Sequence, residues 1–129
     1  MRGQMMDYPL TLTHVLDRAR QLYGKKEIVT KAGPTLARYS YAEMAERVAR
    51  LANALEKLGV RRGDRVATFA WNNARHMELY LAVPCMGAVL HPLNLRLPGD
   101  QLAYIVNHAE DQVVFVDTTL LPAVEKLAP

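Results

Sequence analysis

Four histidines, one cysteine and a scatter of carboxylates are the side chains here with the chemistry for metal binding, nucleophilic attack or proton transfer. His14, His76, His91 and His108 lie too far apart in sequence to form a local ligand pair, and a lone histidine holds a metal poorly without a carboxylate or thiolate beside it. Cys85 is the single cysteine, which excludes an internal disulfide framework and a multi-thiolate zinc site. It sits in an apolar run and reads as a buried structural thiol. His76, Glu78, Pro84 and Cys85 mimic half of a zinc-deaminase pattern. That chemistry needs a second cysteine and a longer helical excursion between its two halves. No G-x-G-x-x-G and no G-x-x-x-x-G-K-[ST] occurs, so no glycine-rich loop is available to cradle phosphates. His14 and His108 fall on helical stretches with polar neighbours and read as surface residues.

The most suggestive cluster is "GAVLHPLNLRLP", Gly87 to Pro98. Ala88, Val89 and Leu90 form a buried strand, and His91, Asn94 and Arg96 follow where it stops. Ligand-binding groups in α/β proteins sit at the carboxyl ends of strands. The three residues are either such a site or a well-made turn. Asp117, at the end of "QVVFVD", poses the same choice. With Thr118 it reads better as a turn that caps the final helix.

Hydrophobic periodicity supplies the elements that would position these groups. Leu12, Val15, Leu16, Ala19 and Tyr23 recur at helical spacing after Thr11, and Gly24 ends the run. "EIVT" at 27–30 and "LARYS" at 36–40, joined by "KAGP", predict a hairpin near the edge of a sheet. Ser40 and Glu43 form a capping box. The helix it starts carries Met44, Val48, Leu51, Leu55 and Leu58 on one face and ends at Gly59. Glu43, Glu46, Arg47, Arg50, Glu56 and Lys57 read as its solvated face. A strand from Arg65 to Ala70 follows, then a helix capped by Asn72 or Asn73 and kinked or ended near Pro84. Pro98 is expected at a first helical position, ahead of Leu102, Ile105, Val106 and Ala109. A last helix starts within "LLPAVEKLAP" and is expected to be cut off by the chain end. Strands at Arg65, Ala88 and Gln112 start about 23–25 residues apart, the spacing of βαβ crossovers in a parallel sheet.

The chain has 129 residues, half apolar and 22% charged, an ordinary globular composition. A net charge of +3 with scattered basic residues and no aromatic interleaving argues against a nucleic-acid surface. No apolar run approaches the roughly 20 residues of a membrane span. "MRGQMMDYPL" lacks a signal-peptide core, so a cytoplasmic protein is expected.

Taken in order, these pieces resemble the N-terminal part of the AMP-forming acyl-CoA synthetases. "YSYAEM" matches that family's strand-to-helix signature. "LGVRRGDRVA" matches its Gly-Asp turn, "WNNARHMELYLAVPCMGAVLHPLNLRL" its GAV…N-x-R segment, and "QLAYIVNHAEDQVVFVD" the strand that follows. The flavour is closest to the long-chain fatty-acid–CoA ligases. The resemblance implies an α/β fold of βαβ units on a mostly parallel sheet, preceded by a helix and a short hairpin. It implies that residues 1–129 are a truncated N-terminal piece of the large domain. The complete enzyme would join a fatty acid or other carboxylate to coenzyme A, with ATP and Mg²⁺. That chemistry needs a Y-T-S-G-T-T-G-type loop, a Glu for magnesium, an Asp for the ribose and a Lys on a mobile C-terminal domain. None of these motifs occurs here. The resemblance therefore assigns this chain no catalytic, cofactor-binding, substrate-binding or metal residue and predicts that it is inactive alone and prone to self-association. It makes His91, Asn94 and Arg96 chiefly architectural, with Asn94 and Arg96 tying the strand's exit to neighbouring loops. Leu97 stands where relatives often place a capping Ser or Thr. The alternative is a free-standing, non-catalytic α/β interaction module.

Overall fold

The computed structural model describes residue 3 and residues 6–126. Helix α1 (Leu12–Tyr23) is followed by strands β1 (Glu27–Ala32) and β2 (Thr35–Ser40). Then come α2 (Tyr41–Lys57), β3 (Arg65–Phe69), α3 (Ala74–Cys85), β4 (Val89–Pro92), α4 (Gly99–Ala109), β5 (Val113–Val116), a 3-10 turn and α5 (Leu121–Glu125). The expected α/β order is present. The part of the last predicted helix beyond Lys126 lies outside the described residues.

The hairpin forms as predicted, with Ala32 opposite Thr35, and Gly33 takes the left-handed turn position. It does not join the edge of the larger sheet. It makes a two-stranded sheet of its own, and its β1 touches α3 instead. The other sheet is three-stranded and parallel, in the order β4-β3-β5. Central β3 is buried from Val66 to Phe69. Its alternation divides the core. Val66 packs with Leu55, Val60, Leu79, Val83 and Ala88 from the α2 and α3 side. Ala67 and Phe69 are buried on the opposite face. A second cluster, Met44, Val48 and Ala82, joins α2 to α3 and recruits Leu16 of α1 and Ile28 of β1.

Local chemistry sets the helix ends. The Ser40 hydroxyl accepts from the Glu43 amide at 3.2 Å, and the Glu43 carboxylate accepts from the Ser40 amide at 2.7 Å. Accepting from the Ser40 amide, and also from the Ser40 hydroxyl at 2.9 Å, holds the Glu43 carboxyl below its usual range. Ser40→Ala removes one partner of the box and is expected to cost about 1 kcal/mol, read as a shift in denaturant midpoint.

At the other end of α2, the Val60 amide returns to the Leu55 carbonyl and the Gly59 amide to that of Glu56, with Gly59 at φ +94°. This is a Schellman stop, closed by the Leu55–Val60 contact in the core. Helix α3 repeats it: the Ala88 amide reaches the Val83 carbonyl and the Gly87 amide that of Pro84, with Gly87 at φ +87°. A Cβ on Gly87 would lie 3.1 Å from Arg62 Cγ, a second reason for glycine there.

Two expectations about helix ends need correction. Leu58 sits at the C-cap of α2, where the chain turns away, and is 67% exposed instead of completing the apolar face. Pro98 is the N-cap of α4, one residue before the expected position, so Leu97 is not the cap. The end expected near Pro84 is found: Pro84 lies inside α3, which stops one residue later, so the proline disturbs little helix beyond it.

Candidate functional site

Because β3 is flanked by β4 and β5, the chain leaves it in one direction and later returns past it in the other. The exits of β3 and β5 therefore form a topological switch point, where α/β sheets place ligands. Here the protein's own hydrogen bonds close that crevice. Asp117 Oδ2 accepts from the Trp71 amide at 2.8 Å and from Asn73 Nδ2 at 3.2 Å. Trp71 Nε1 donates to Thr119 Oγ1 at 2.9 Å. Asn73, rather than Asn72, caps α3 by accepting from the His76 amide at 3.0 Å, and the Ala74 amide donates to Thr30 Oγ1 of β1 at 3.2 Å. Asp117 thus does not cap the final helix with its side chain; it ties the exit of β5 to the exit of β3. The Trp71 amide and the Asn73 side chain are the stronger competitors for its carboxylate.

The structure separates the residues of "HPLN.R". His91 Nδ1 lies 2.9 and 3.0 Å from the two carboxylate oxygens of Asp111, whose side chain is wholly buried. Asn94 Oδ1 accepts from the Arg96 amide two residues on, at 3.0 Å, and both residues are exposed. Asn94 therefore closes an Asx turn on itself rather than tying the strand's exit to neighbouring loops. The strand's exit is held by the backbone instead, from the Leu93 amide to the Thr68 carbonyl at 2.8 Å.

The other histidines do not converge. His14 is half-buried, held by Tyr8 and the Pro9 carbonyl. His108 is exposed and stacks on Tyr104. His76 is buried, with Nε2 2.9 Å from Thr68 Oγ1 and no hydrogen-bond partner for Nδ1. Cys85 is half-buried at the end of α3, less enclosed than expected. Among the described residues no group of three His, Cys, Asp or Glu side chains could hold a metal ion. No chemical step is assigned to these residues.

The strongest polar constellation is one that periodicity hides. Glu78, 6% exposed on α3, accepts from Arg47 Nε at 2.6 Å, Arg47 Nη2 at 3.2 Å and the Tyr39 hydroxyl at 2.9 Å. One carboxylate thereby joins α2, α3 and β2. Arg47, read from sequence as part of a solvated face, spends its charge here. The bidentate bond to Glu78 raises its pKa further. Burial, and then the hydrogen bond to Glu78, pushes the Tyr39 hydroxyl up to about 12. A tyrosine whose folded pKa is raised contributes stability below its unfolded value of about 10, and that stability disappears as pH climbs toward 12. Denaturant midpoints taken across this alkaline window should fall more steeply for the native sequence than for Tyr39→Phe. Parallel curves for the two proteins would remove Tyr39 from the alkaline transition. The only advance signals were the apolar neighbours of Glu78, Leu79 and Ala82; the long-range register that pairs Glu78 with Arg47 and Tyr39 leaves no mark in the sequence.

Residues 16–129 match the AMP-binding enzyme family. The chain belongs to that family. It is 50% identical over 124 residues to a long-chain-fatty-acid–CoA ligase of Thermus thermophilus, a match covering 95% of this chain and 23% of that protein. It is 45% identical over 125 residues to a 3-methylmercaptopropionyl-CoA ligase of Ruegeria lacuscaerulensis, covering 96% of this chain and again 23% of the relative. Among solved structures, a fatty acyl-CoA synthetase of Mycobacterium tuberculosis superposes with a TM-score of 0.80 at 26% identity, over 90% of this chain and 23% of that one. The chain thus spans about a quarter of the length of these relatives. The AMP-binding family match begins within α1, so hairpin, capping box and three-stranded sheet all fall inside it.

Proposed function

We propose that this chain is the N-terminal part of the large domain of an AMP-forming fatty-acid–CoA ligase. In the whole enzyme, a carboxylate oxygen would attack the α-phosphorus of ATP, supplied with Mg²⁺, and displace pyrophosphate. The thiol of coenzyme A would then take the acyl group and release AMP. The carrying observation is the 50% identity, over 95% of this chain, to a long-chain-fatty-acid–CoA ligase. The relatives matched at 50%, 45% and 41% are named for a long-chain acid, 3-methylmercaptopropionate and a medium-chain acid. Similarity that persists across different acids fits a scaffold segment better than an acid-selecting one.

The part played by this segment is to build and brace the sheet. The hydrogen bonds that fill the switch-point crevice support assigning it no catalytic residue. A cytoplasmic location goes with this reading; among the described residues no helix is long and apolar enough to cross a membrane. Self-association also goes with it. Both outer strands of the parallel sheet have an open edge, and each carries an exposed valine, Val89 and Val114. Light scattering that shows a monomer at high concentration would remove that part.

Two measurements test the proposal. The purified chain, given ATP, Mg²⁺ and a fatty acid, is expected to release no pyrophosphate above background. A chimera in which this chain replaces the matching segment of the Thermus ligase is expected to fold and to form fatty-acyl-CoA. A chimera that folds without activity, or turnover by the isolated chain, would sink the reading.

A further inference from the structure

Two hollows flank the N-terminus of α3, divided by the hydrogen bond from the Ala74 amide to Thr30 Oγ1. The first is lined largely by apolar side chains, among them Ile28, Met77 and Tyr80. The second, about 370 Å³, is basic: Lys31, Arg47 and Arg75 line it, with Tyr39, Asn73 and Glu78. Glu78 is its one lining carboxylate, and both of its oxygens are committed to Arg47 and Tyr39. That pair cancels, which leaves Lys31 and Arg75 as uncompensated positive charges. Both are exposed, and neither forms an ion pair among the described residues. The Arg75 amide, in the first turn of α3, also has no hydrogen-bond partner among the described residues, whereas the Ala74, His76 and Met77 amides are taken. An unpaired first-turn amide stands at the positive end of the helix dipole, and its residue lines the same hollow.

We propose that this hollow binds a small phosphate-bearing anion, held by the Lys31 ammonium, the Arg75 guanidinium and the Arg75 amide. A guanidinium matches phosphate oxygens bidentately, an ammonium adds a point charge, and a fixed backbone donor sets orientation. The bounded volume suits a small molecule. A polyanionic chain would need an extended basic stripe rather than two cations beside one hollow.

The test titrates the chain with inorganic pyrophosphate, and separately with glycerol 3-phosphate, at constant ionic strength, followed by amide NMR. Saturable shifts centred on Lys31, Asn73, Ala74 and Arg75 are expected. Pyrophosphate alone causing them marks an inorganic ligand, and glycerol 3-phosphate doing as well marks an organic ester. Lys31→Ala with Arg75→Ala should weaken binding by at least about tenfold. Arg75→Lys should retain part of it, and Met77→Ala, in the apolar hollow, should leave it unchanged. Because both cations are exposed, the double variant should keep its denaturant midpoint. If it does not, the single variants Lys31→Gln and Arg75→Gln must each show a graded loss. Absence of saturable shifts at these amides, or equal affinity in the charge-removed variants, overturns the proposal.

Discussion

Glu78→Ala should lower the unfolding free energy by about 2–3 kcal/mol. The carboxylate is nearly enclosed, with its side chain 8% exposed, and its partners come from two other elements, α2 and β2. Its removal leaves the half-buried Tyr39 hydroxyl without an acceptor and Arg47 without its counter-charge. The Arg47 side chain is 46% exposed and can turn toward water, which keeps the cost below the roughly 3–5 kcal/mol of stranding a fully buried charge. A double-mutant cycle separates the contributions. Arg47→Ala alone should cost less than Glu78→Ala, because it leaves the Tyr39 bond intact. The pair Arg47→Met with Glu78→Leu should come out close to the native protein, since exchanging an ion pair for apolar side chains avoids both desolvation penalties. Chemical denaturation of the four proteins supplies every corner. If Glu78→Ala shifted the free energy by less than about 0.5 kcal/mol, the network would be ornament on a packing interface formed without it.

What sequence revealed and what it hid divide along a physical line. Signals confined to a few neighbouring residues were legible: the Ser40–Glu43 box, the Gly59 stop, the "KAGP" turn and the strand spacing that implied a parallel sheet. Each depends on backbone geometry that a short stretch fixes by itself. Pairings across the fold were not legible. Glu78 with Arg47, His91 with Asp111 and Asp117 with Trp71 bring together residues 20 to 46 positions apart. No periodicity encodes those meetings. The stop of α4 also gave no signal, because Glu110 holds φ +54° where α2 and α3 use glycine. Its amide still returns to Asn107 and that of Asp111 to Val106. Arg65 of β3 reaches the Glu110 carbonyl and carboxylate, which fastens the strained residue from outside the turn. The separation of the hairpin from the main sheet was hidden for the same reason: strand order is a tertiary property. Family resemblance recovered the overall architecture because the spacing of many weak local signals is itself a long-range pattern.

Leu55→Ala should cost about 3 kcal/mol, the largest loss expected from one substitution in this chain. Leu55 has no exposed surface and belongs to the core cluster with Val60, Val66, Leu79, Val83 and Ala88. Those neighbours come from the turn after α2, from β3, from α3 and from the turn before β4, so no single movement can refill the space. Truncation loses the transfer free energy of the removed carbons and leaves a void that rigid elements cannot close. A second effect follows from its position. Leu55 supplies the carbonyl that accepts from Val60, and its side chain makes the contact that accompanies this stop. Alanine keeps the carbonyl but loses the contact, so the last turn of α2 should fray as well. Amide exchange at Val60 should therefore speed up more than the global loss of stability accounts for. Leu58→Ala is the matched control: three residues on, on the same helical run in sequence, but exposed at the C-cap. It should cost no more than about 0.5 kcal/mol and leave exchange at Val60 alone. Equal losses for the two leucines would mean that the cluster around Val66 is not the centre of the fold, and that periodicity alone ranks these positions as well as the structure does.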